Sequence, residues 1–372
     1  MVLKDIDQDA LDEGLRHASS LLEKAGERGI FSREEVGLKF ALISGTLSYD
    51  KFEDVDLVIE AVVERMPVKQ QVLREAEEQI GDSAVFATNT SSLSVTELAD
   101  KAAHPERVVG LHFFNPVHRM PLVEIIRTDA SSETAVAAAF GFTTDMGKTP
   151  VLVADRPGFL VNRLLAPYLN EAGFLLSEGA DVESLDGALL EFGMPMGPCR
   201  LLDEIGFDVA EHVAHEMVQA FGERMLPSDV VSALRREGKL GRKNERGFYS
   251  YAAGREKGVD RELRKILAAR AEGTSPSAAE IRQRCLYILV NEAAHALAEG
   301  VVATAADVDL AMVLGTGFPP FRGGLLRWAD TEGLAVIAEA LAGFEERVGP
   351  RFALADLLRE KAERGDTFTD TD

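Results

Sequence analysis

The sequence predicts an α/β domain followed by a helical domain that contains two copies of one unit. Strand-like and helix-like segments alternate up to about residue 154, which favours a mostly parallel sheet. After Pro157 and Gly158 the pattern changes to long helices punctuated by Gly and Pro. The second half then repeats its own motifs in the same order, which indicates two related helical units. The predicted divisions are 1–154, 155–255, a linker over 256–277, and 278–372.

Composition describes a globular chain and argues against several classes of function. The 372 residues carry 40 Lys plus Arg and 62 Asp plus Glu, and a net charge of −22 argues against non-specific nucleic-acid binding. No apolar run reaches transmembrane length, so we expect no integral membrane segment. Cys199 and Cys285 make no disulfide framework, and no metal-ligand motif is present. Without a signal-peptide pattern at the start, the expected localisation is cytoplasmic.

Each element of the α/β part rests on a local pattern. Residues 2–5 predict a short strand, and 9–25 have the apolar spacing of an amphipathic helix. The run 55–63 is rich in branched residues, which suits a strand covered on both faces. The other predicted strands are 40–44, 84–87, 108–113 and 123–126, and the other predicted helices are 71–80 and 159–178.

The helical part carries an internal repeat. The sequences Asn170-Glu171-Ala172 and Ser177-Glu178-Gly179 return as Asn291-Glu292-Ala293 and Ala298-Glu299-Gly300. Further along, Asp186, Gly193 and Asp203 are matched in order by Asp309, Gly317 and Asp330. Because the order is kept throughout, chance similarity is the weaker explanation. We expect the two copies to pack together as a pseudo-symmetric pair.

Two ionisable residues on successive predicted strands suggest a general base. His112 lies among the aromatic residues of 110–116, and Glu124 interrupts the apolar run 122–126. A carboxylate inside a buried strand is costly unless it is paired, so a His112–Glu124 pair would satisfy both residues. Such a pair makes the imidazole more basic, as proton removal from an alcohol requires. A purely structural ion pair is the alternative.

Three polar positions lie where a ligand would bind. Residues 89–93, Asn-Thr-Ser-Ser-Leu, follow a predicted strand, and ligands of open α/β sheets bind at such strand ends. An ordinary helix cap is the alternative for this segment. Asn162 lies on the first turn of the long helix, facing the α/β domain, and an ordinary polar residue of the first turn is the alternative. Asp5 ends the first strand, where an acid can hold the adenosine ribose of NAD, although a solvated acid fits equally well.

Taken together, these residues resemble the 3-hydroxyacyl-CoA dehydrogenase family over essentially the whole chain. The motifs that carry the resemblance are 59–64, 89–93, 110–116, 157–165, 194–198 and 247–249. The second helical copy, with 317–324, is similar to the extra C-terminal copy of the multifunctional fatty-acid oxidation enzyme. It would replace the partner through which single-unit relatives form homodimers. The resemblance implies a Rossmann-like NAD-binding domain, followed by an all-α domain made of two repeated helical units.

The resemblance also implies an activity and residue roles. The chain would oxidise an L-3-hydroxyacyl-CoA to the 3-ketoacyl-CoA in fatty-acid β-oxidation, with acyl-CoA as substrate and NAD as cofactor. His112 would be the base, Glu124 would polarise it, and Ser91 and Asn162 would hydrogen-bond the substrate. The positions matching the family's NAD site are Asp5, Glu64, Lys69, Asn89 and Asn115. Arg242 and Lys243 are candidates for the CoA phosphates, or else a solvated loop, and a thiolase subunit is an implied partner.

The sequence departs from the family in two places. Glu245 stands where the family usually has Gly before residues 247–249. The family's first strand and its G-x-G-x-x-G turn have no counterpart before Asp5, so we expect the strands at Val2 and Val55 to lack a shared neighbour. We therefore expect an N-terminally truncated sequence. The alternatives are a non-catalytic remnant whose helical half binds partner subunits and, less well supported, a dehydrogenase of free β-hydroxy acids.

Overall fold

Two separate sheets form the first part of the chain in a computed structural model, which describes residues 1–263, 267 and 275–369. The smaller sheet pairs β1 (Val2–Lys4) in parallel with β2 (Ser44–Thr46). The helices between them are α1 (Gln8–Glu27) and α2 (Arg33–Ala41). No strand in the described part of the chain pairs with both β1 and the larger sheet. The expectation that the strands near Val2 and Val55 lack a shared neighbour is thus confirmed.

The larger sheet has five strands in sequence order. They are β3 (Leu57–Glu60), β4 (Val85–Thr88), β5 (Val108–Phe113), β6 (Leu122–Arg127) and β7 (Thr149–Ala154). Only the pairing of β5 with β6 is antiparallel, so the prediction of a mostly parallel sheet is confirmed. The helices packed on the sheet are α3 (Met66–Glu77), α4 (Val95–Ala99) and α5 (Glu133–Asp145).

Two strand predictions are corrected by the structure. The strand predicted over 40–44 is wrong, because Phe40 belongs to α2 and the strand begins at Ser44. Helix α2 starts with a capping box between Ser32 and Glu35, which satisfies its first free N–H groups. The strand predicted over 55–63 ends at Glu60, and beyond it Val63 is exposed rather than buried.

The helical part consists of two units with the same succession of helices. In the first unit these are α6 (Val161–Ser177), α7 (Val182–Phe192), α8 (Pro198–Ile205), α9 (Phe207–Phe221) and α10 (Val230–Arg236). In the second they are α11 (Ala278–Ala298), α12 (Ala305–Thr316), α13 (Leu325–Glu332), α14 (Leu334–Val348) and α15 (Asp356–Arg364). The long helices α6 and α11 pack against each other at the centre of one continuous hydrophobic core.

Aspartates at matching positions confirm the predicted repeat. Asp186 accepts hydrogen bonds from the first backbone N–H groups of α8, and Asp309 accepts them in the same way from α13. Asp203 likewise binds the backbone N–H groups of residues 248 and 249, and Asp330 those of 368 and 369. The repeat therefore extends from the sequence to the hydrogen bonds that aspartates make with the backbone, including a cap on α8 and on α13.

The helical part also contains one β-hairpin, which the sequence pattern did not indicate. Strand β8 (Tyr249–Ala252) pairs antiparallel with β9 (Arg255–Val259). Residues 255–259 are thus a strand at the point where a charged linker with a helix was expected. The predicted linker residues 264–266 and 268–274 lie outside the described residues.

Candidate functional site

The candidate site forms where β5 and β6 meet the first turn of α6. His112 and Glu124 lie directly opposite each other across the antiparallel pair. Imidazole Nδ1 is 2.7 Å from Glu124 Oε2, and the exposed fractions of the two residues are 4% and 0%. The pairing expected from their places in the sequence is therefore present.

The N-terminus of α6 fixes the carboxylate of Glu124. Its Oε1 accepts hydrogen bonds from the backbone N–H groups of Leu160, at 3.1 Å, and Val161, at 2.9 Å. These N–H groups have no partner within the helix, and the positive end of the helix dipole favours an anion there. A carboxylate has no proton to donate, so Nδ1–H of His112 donates to Oε2. The lone pair of imidazole Nε2 is thereby left for another group.

Aromatic rings enclose the imidazole. The ring centroids of Phe114 and Phe159 lie 4.6 and 5.5 Å from that of His112. Phe159 has the left-handed φ of 49° and follows Gly158 at 74°, so two positive-φ residues turn the chain into α6. This turn directs the N–H groups of α6 at Glu124. The enclosure keeps bulk water from the Glu124 side of the pair.

Ser91 and Asn162 join the same turn from the other side. Asn162 Nδ2 donates to the backbone oxygen of Ser91 at 3.3 Å. Asn162 directly follows Val161, which holds Glu124. The side chain of Ser91 is on an exposed residue of the loop after β4. The structure therefore brings the four residues predicted as catalytic together around the first turn of α6.

A buried lysine organises the loop that carries Ser91. Lys69 is 1% exposed, and its Nζ donates to Glu60 Oε1 at 3.0 Å and to the backbone oxygen of Asn89 at 2.8 Å. Its third partner is Glu64, at 3.3 Å. With all three N–H groups engaged, Lys69 lies behind the loop rather than on its open face.

Glu64 ties the same loop to the end of β3. Its carboxylate accepts hydrogen bonds from the Thr90 hydroxyl and from the Ser91 N–H, the latter at 3.0 Å. Burial would raise the pKa of Glu64, but the Thr90 hydrogen bond and the Lys69 charge together lower it. Sequence reasoning did not single out Thr90 or the buried carboxylate of Glu60. An acid inside the apolar run of β3 was the available signal.

Four of the five positions expected at the cofactor site follow the carboxyl ends of strands, and the fifth, Lys69, lies on α3. Glu64 and Asn89 come after β3 and β4, and the exposed Asn115 comes after β5. Asp5 follows β1 in the smaller sheet, and none of the described contacts joins it to the other four positions. The structure groups Glu64, Lys69 and Asn89 closely and leaves Asp5 apart.

These residues fit one end of a dinucleotide. Asp5 uses Oδ1 to accept from the N–H of Ile6 at 2.7 Å, while its Oδ2 has no partner in the described part of the chain. A half-buried carboxylate with a free oxygen at a strand end can accept hydrogen bonds from ribose hydroxyls. Residues 1–156 contain no G-x-G-x-x-G turn to hold a diphosphate.

The basic residues proposed for CoA phosphates are already paired. Arg242 binds Glu204, and Lys243 binds Asp208. A small cavity of about 150 Å³ lies beside Arg242, and its lining includes the acids Glu204 and Glu256. Acids that close to the guanidinium oppose an anionic ligand.

The described residues contain neither a membrane-spanning helix nor a metal-binding cluster. No helix there has the length and apolar character needed to cross a bilayer. No cluster of three or more His, Cys, Asp or Glu side chains in residues 1–263, 267 and 275–369 is arranged to hold a metal ion. Both cysteines are buried free thiols.

Comparison with known families matches both parts of the chain. The profile described as "3-hydroxyacyl-CoA dehydrogenase, NAD binding domain" matches residues 1–156. The profile described as "3-hydroxyacyl-CoA dehydrogenase, C-terminal domain" matches twice, at 158–251 and 281–371. The double match agrees with the two helical units seen in the structure.

Curated relatives include the fatty acid oxidation complex subunit alpha of Shewanella amazonensis, which is 41% identical over 368 residues. The protein of the same description from Vibrio parahaemolyticus is 39% identical over 366 residues. Each alignment covers 98% of this chain and 52% of the relative, so the chain spans about half the length of these relatives.

Solved structures share the fold over nearly the whole chain. The 3-hydroxybutyryl-CoA dehydrogenase of Escherichia coli superposes with a TM-score of 0.87 at 28% identity, covering 98% of this chain and 93% of that one. The dehydrogenase part of multifunctional enzyme 1 from Caenorhabditis elegans gives 0.70 at 30% identity, with coverage of 96% and 83%.

Proposed function

The chain belongs to the 3-hydroxyacyl-CoA dehydrogenase family, and we propose that it oxidises L-3-hydroxyacyl-CoA to 3-ketoacyl-CoA in fatty-acid oxidation. One observation carries the proposal: a buried His112–Glu124 pair held by the N-terminus of α6, with Nε2 of the imidazole left free to act as a base. The family descriptions and the name of the Escherichia coli structure support a CoA ester of a 3-hydroxy acid as the substrate class.

In this proposal, His112 Nε2 takes the proton of the substrate's C3 hydroxyl as the C3–H bond breaks. Bound NAD supplies the acceptor for the hydride. Glu124 stabilises the imidazolium that forms and keeps the ring in the tautomer with Nε2 unprotonated. Ser91 and Asn162 bind the substrate oxygens, so the C3 hydroxyl stays in line with the base.

The cofactor would lie across the carboxyl ends of the strands. Asp5 would accept from the ribose hydroxyls, and its negative charge would disfavour the 2′-phosphate of NADP. Asn115 and Glu64 would line the open face of the site. Lys69 would act from behind the loop by holding Glu64 and Asn89 in place.

The proposal is tested by following NADH oxidation with acetoacetyl-CoA as the second substrate. We expect turnover that needs the CoA ester and that is much slower with NADPH. In this direction His112 returns the proton to the C3 oxygen, so His112→Ala should lower kcat by about 10²–10⁴-fold because the group that transfers the proton is lost. The matched control is His215→Ala on an exposed face of α9, which should leave kcat unchanged. Equal activity of both variants would rule out His112 as the base.

Glu124→Gln tests the tautomer argument separately, in the oxidation direction with an L-3-hydroxyacyl-CoA and NAD, where Nε2 of His112 must accept the proton. The amide oxygen would take over the N–H groups of Leu160 and Val161, and the amide nitrogen would then donate to Nδ1 of His112. The ring proton would move to Nε2, so we expect a loss of kcat comparable to that of His112→Ala. A Glu124→Gln variant with unchanged kcat would contradict the assigned role.

One observation favours a second candidate. Strand β1 pairs only with β2 in the described residues, so Asp5 and the loops after β3 and β4 do not belong to one sheet. A non-catalytic role, in which the helical half binds partner subunits, is therefore the alternative. The relatives named as α subunits of a complex support such partners, and a thiolase is the proposed one. No turnover and no NAD binding, with a normal helical circular-dichroism spectrum, would favour this alternative.

A further inference from the structure

Helices α6 and α11 are joined by two reciprocal ion-pair networks. Arg163 of α6 donates from Nε to Glu292 Oε1 at 2.7 Å and from Nη1 to Glu299 Oε2 at 2.7 Å. In return, Arg284 of α11 donates from Nε to Glu171 Oε1 at 2.6 Å and from Nη2 to Glu178 Oε1 at 2.8 Å. The side chains of both arginines are at most 1% exposed. Each helix thus supplies one arginine and two glutamates at matching positions.

A second arginine completes each network. Arg224 lies 3.3 Å from Glu292 Oε2, and Arg351 lies 2.6 Å from Glu171 Oε2. Glu292 and Glu171 are therefore equivalent in burial and in partners, each bound by two guanidinium groups. A buried carboxylate that keeps its charge needs such partners, and losing one leaves the other charges uncompensated.

The two networks differ in what lies at their ends. Arg163 sits in the first turn of α6, immediately after Asn162 and two residues after Val161, whose N–H holds Glu124. Arg284 sits in the second turn of α11, and its ion pairs in the described residues are with Glu171, Glu178 and Glu280. Only one of the two networks therefore ends at the candidate site.

The second helical unit also touches this turn directly. A Cβ built on Gly315 of α12 would lie 2.8 Å from Leu122 Cδ2 and 3.2 Å from Val161 Cγ2. Leu122 is on β6, the strand that carries Glu124. In addition, the N–H of Ala154 at the end of β7 donates to the oxygen of Val301 at 2.8 Å. The second unit therefore packs both on the first turn of α6 and on β6 and β7, the strands next to it.

We propose that Glu292 of the second helical unit is a positioning residue for the His112–Glu124 pair, acting through Arg163 and the first turn of α6. The inference rests on the proposed function of that pair. The hydrogen-bond and ion-pair partners of Glu292 in the described residues are Arg163 and Arg224, and neither His112 nor Glu124 is among them. It holds the turn whose N–H groups fix the carboxylate, and small displacements of a base from its substrate are costly in rate.

The experiment compares Glu292→Gln with Glu171→Gln in the full chain. Both changes remove one charge from an equivalent buried network, so both should lower the melting temperature similarly. Only Glu292→Gln should lower kcat, by about tenfold with KM changed by less than about twofold. Unchanged kcat in both variants, or equal losses in both, would overturn the proposal.

A readout without turnover separates this inference from the proposed function. In NMR, the Nδ1–H proton of His112 should be observable at low field because it donates to Glu124. We expect this resonance to broaden by solvent exchange in Glu292→Gln and to persist in Glu171→Gln. If the unmodified chain shows no turnover, the proposed function fails, and this comparison alone decides the positioning role. A resonance that persists in both variants would overturn it.

A second, milder pair of variants keeps the test valid if Glu292→Gln does not fold. Glu299 and Glu178 occupy equivalent positions, and their side chains are 40% and 33% exposed. Glu299→Gln should weaken the hold on Arg163 and reduce kcat, whereas Glu178→Gln should not. The same kcat in these two variants would count against the proposal.

Discussion

A glutamate with no exposed surface, such as Glu124, must be matched by hydrogen-bond donors on both oxygens. Its place in an apolar run was enough to predict the imidazole partner on the neighbouring strand. The donors on Oε1, Leu160 and Val161, were not predictable in the same way. They lie more than 30 residues away in sequence, and their approach depends on how the helical part packs on the sheet.

Tertiary packing also determines contacts around the expected cofactor site that the sequence could not predict. Lys69 matched the family pattern, and nothing in its sequence neighbourhood showed that its ammonium is buried against Glu60. That arrangement depends on β3, α3 and the loop after β4 meeting at one point. Local patterns report the solvent-facing or core-facing tendency of a segment, and lysine is seldom expected to be buried.

Glu245 departs from the family pattern at a position where a side chain strains the backbone. It adopts the left-handed conformation, with φ 62° and ψ 13°, at the position where the family usually has glycine. Its side chain is exposed and its backbone oxygen accepts from the N–H of Tyr251. Glu245→Gly should therefore raise the free energy of unfolding by about 0.5–1 kcal/mol in urea denaturation. Glu245→Ala, which keeps the Cβ, is the control; an equal gain from both would argue against strain.

For helices and strands, the wrong predictions come from segments whose local pattern fits both a helix and a strand. Residues 40–44 are apolar enough for a strand, yet the capping box at Ser32 begins a helix that runs through Phe40. Strand β7 was not indicated, because Pro150 interrupts its run. An edge strand tolerates proline, and β7 is the edge of its sheet. By contrast, β5 was predicted to the residue, because it is buried throughout except at its last position.

Gly110 allows β6 and α4 to pack closely against β5, the strand that carries His112. It lies on the same face of β5 as His112, and a Cβ there would be 2.8 Å from Ile126 Cβ and 2.9 Å from Val95 Cγ2. Neither neighbour can move freely, since one is attached to β6 and the other to α4. Gly110→Ala should therefore lower the free energy of unfolding by about 1–3 kcal/mol.

A glycine in an open part of a helix makes the matched control. Gly141 of α5 is exposed, and a Cβ built there would meet no atom within 4 Å. Gly141→Ala should raise the free energy of unfolding by about 0.5–1 kcal/mol, because alanine is the better helix former. Chemical denaturation of both variants measures whether the free energy of unfolding rises or falls. Stabilisation by Gly110→Ala would show that β5, β6 and α4 leave room for a methyl group.

For the whole molecule, the ordered repeat predicted two helical units, and the capping aspartates at 186 and 309 show the repeat in three dimensions. The reciprocal networks of Arg163 and Arg284 were outside the reach of sequence patterns. The two arginines lie at equivalent positions of the repeat, but each binds glutamates of the other unit rather than of its own. The faces that the two units present to each other depend on the apolar surface that both bury together, which no local pattern reports.

The contact between units contains a histidine that stays neutral in the folded state. Burial, with a smaller contribution from Arg224, lowers the pKa of His295 to about 4. The other charged groups that influence it are Glu299, Arg163 and Asp356. An unfolded histidine titrates near 6.5. Between these values the unfolded chain binds a proton that the folded chain does not, so stability falls as pH decreases from about 6.5 to 4.

Replacing this histidine should change the pH dependence of stability and not only its level. Two buried carboxyls, Asp203 and Asp309, act in the opposite sense, because burial raises the pKa of each to about 6. Since those groups are common to all variants, the difference between melting curves isolates His295. We expect the melting temperature of His295→Gln, relative to the unmodified chain, to rise progressively as pH falls from 6.5 to 4. His212→Gln, at an exposed position on α9, should show a smaller change, and equal slopes for both variants would contradict the proton linkage at the contact between units.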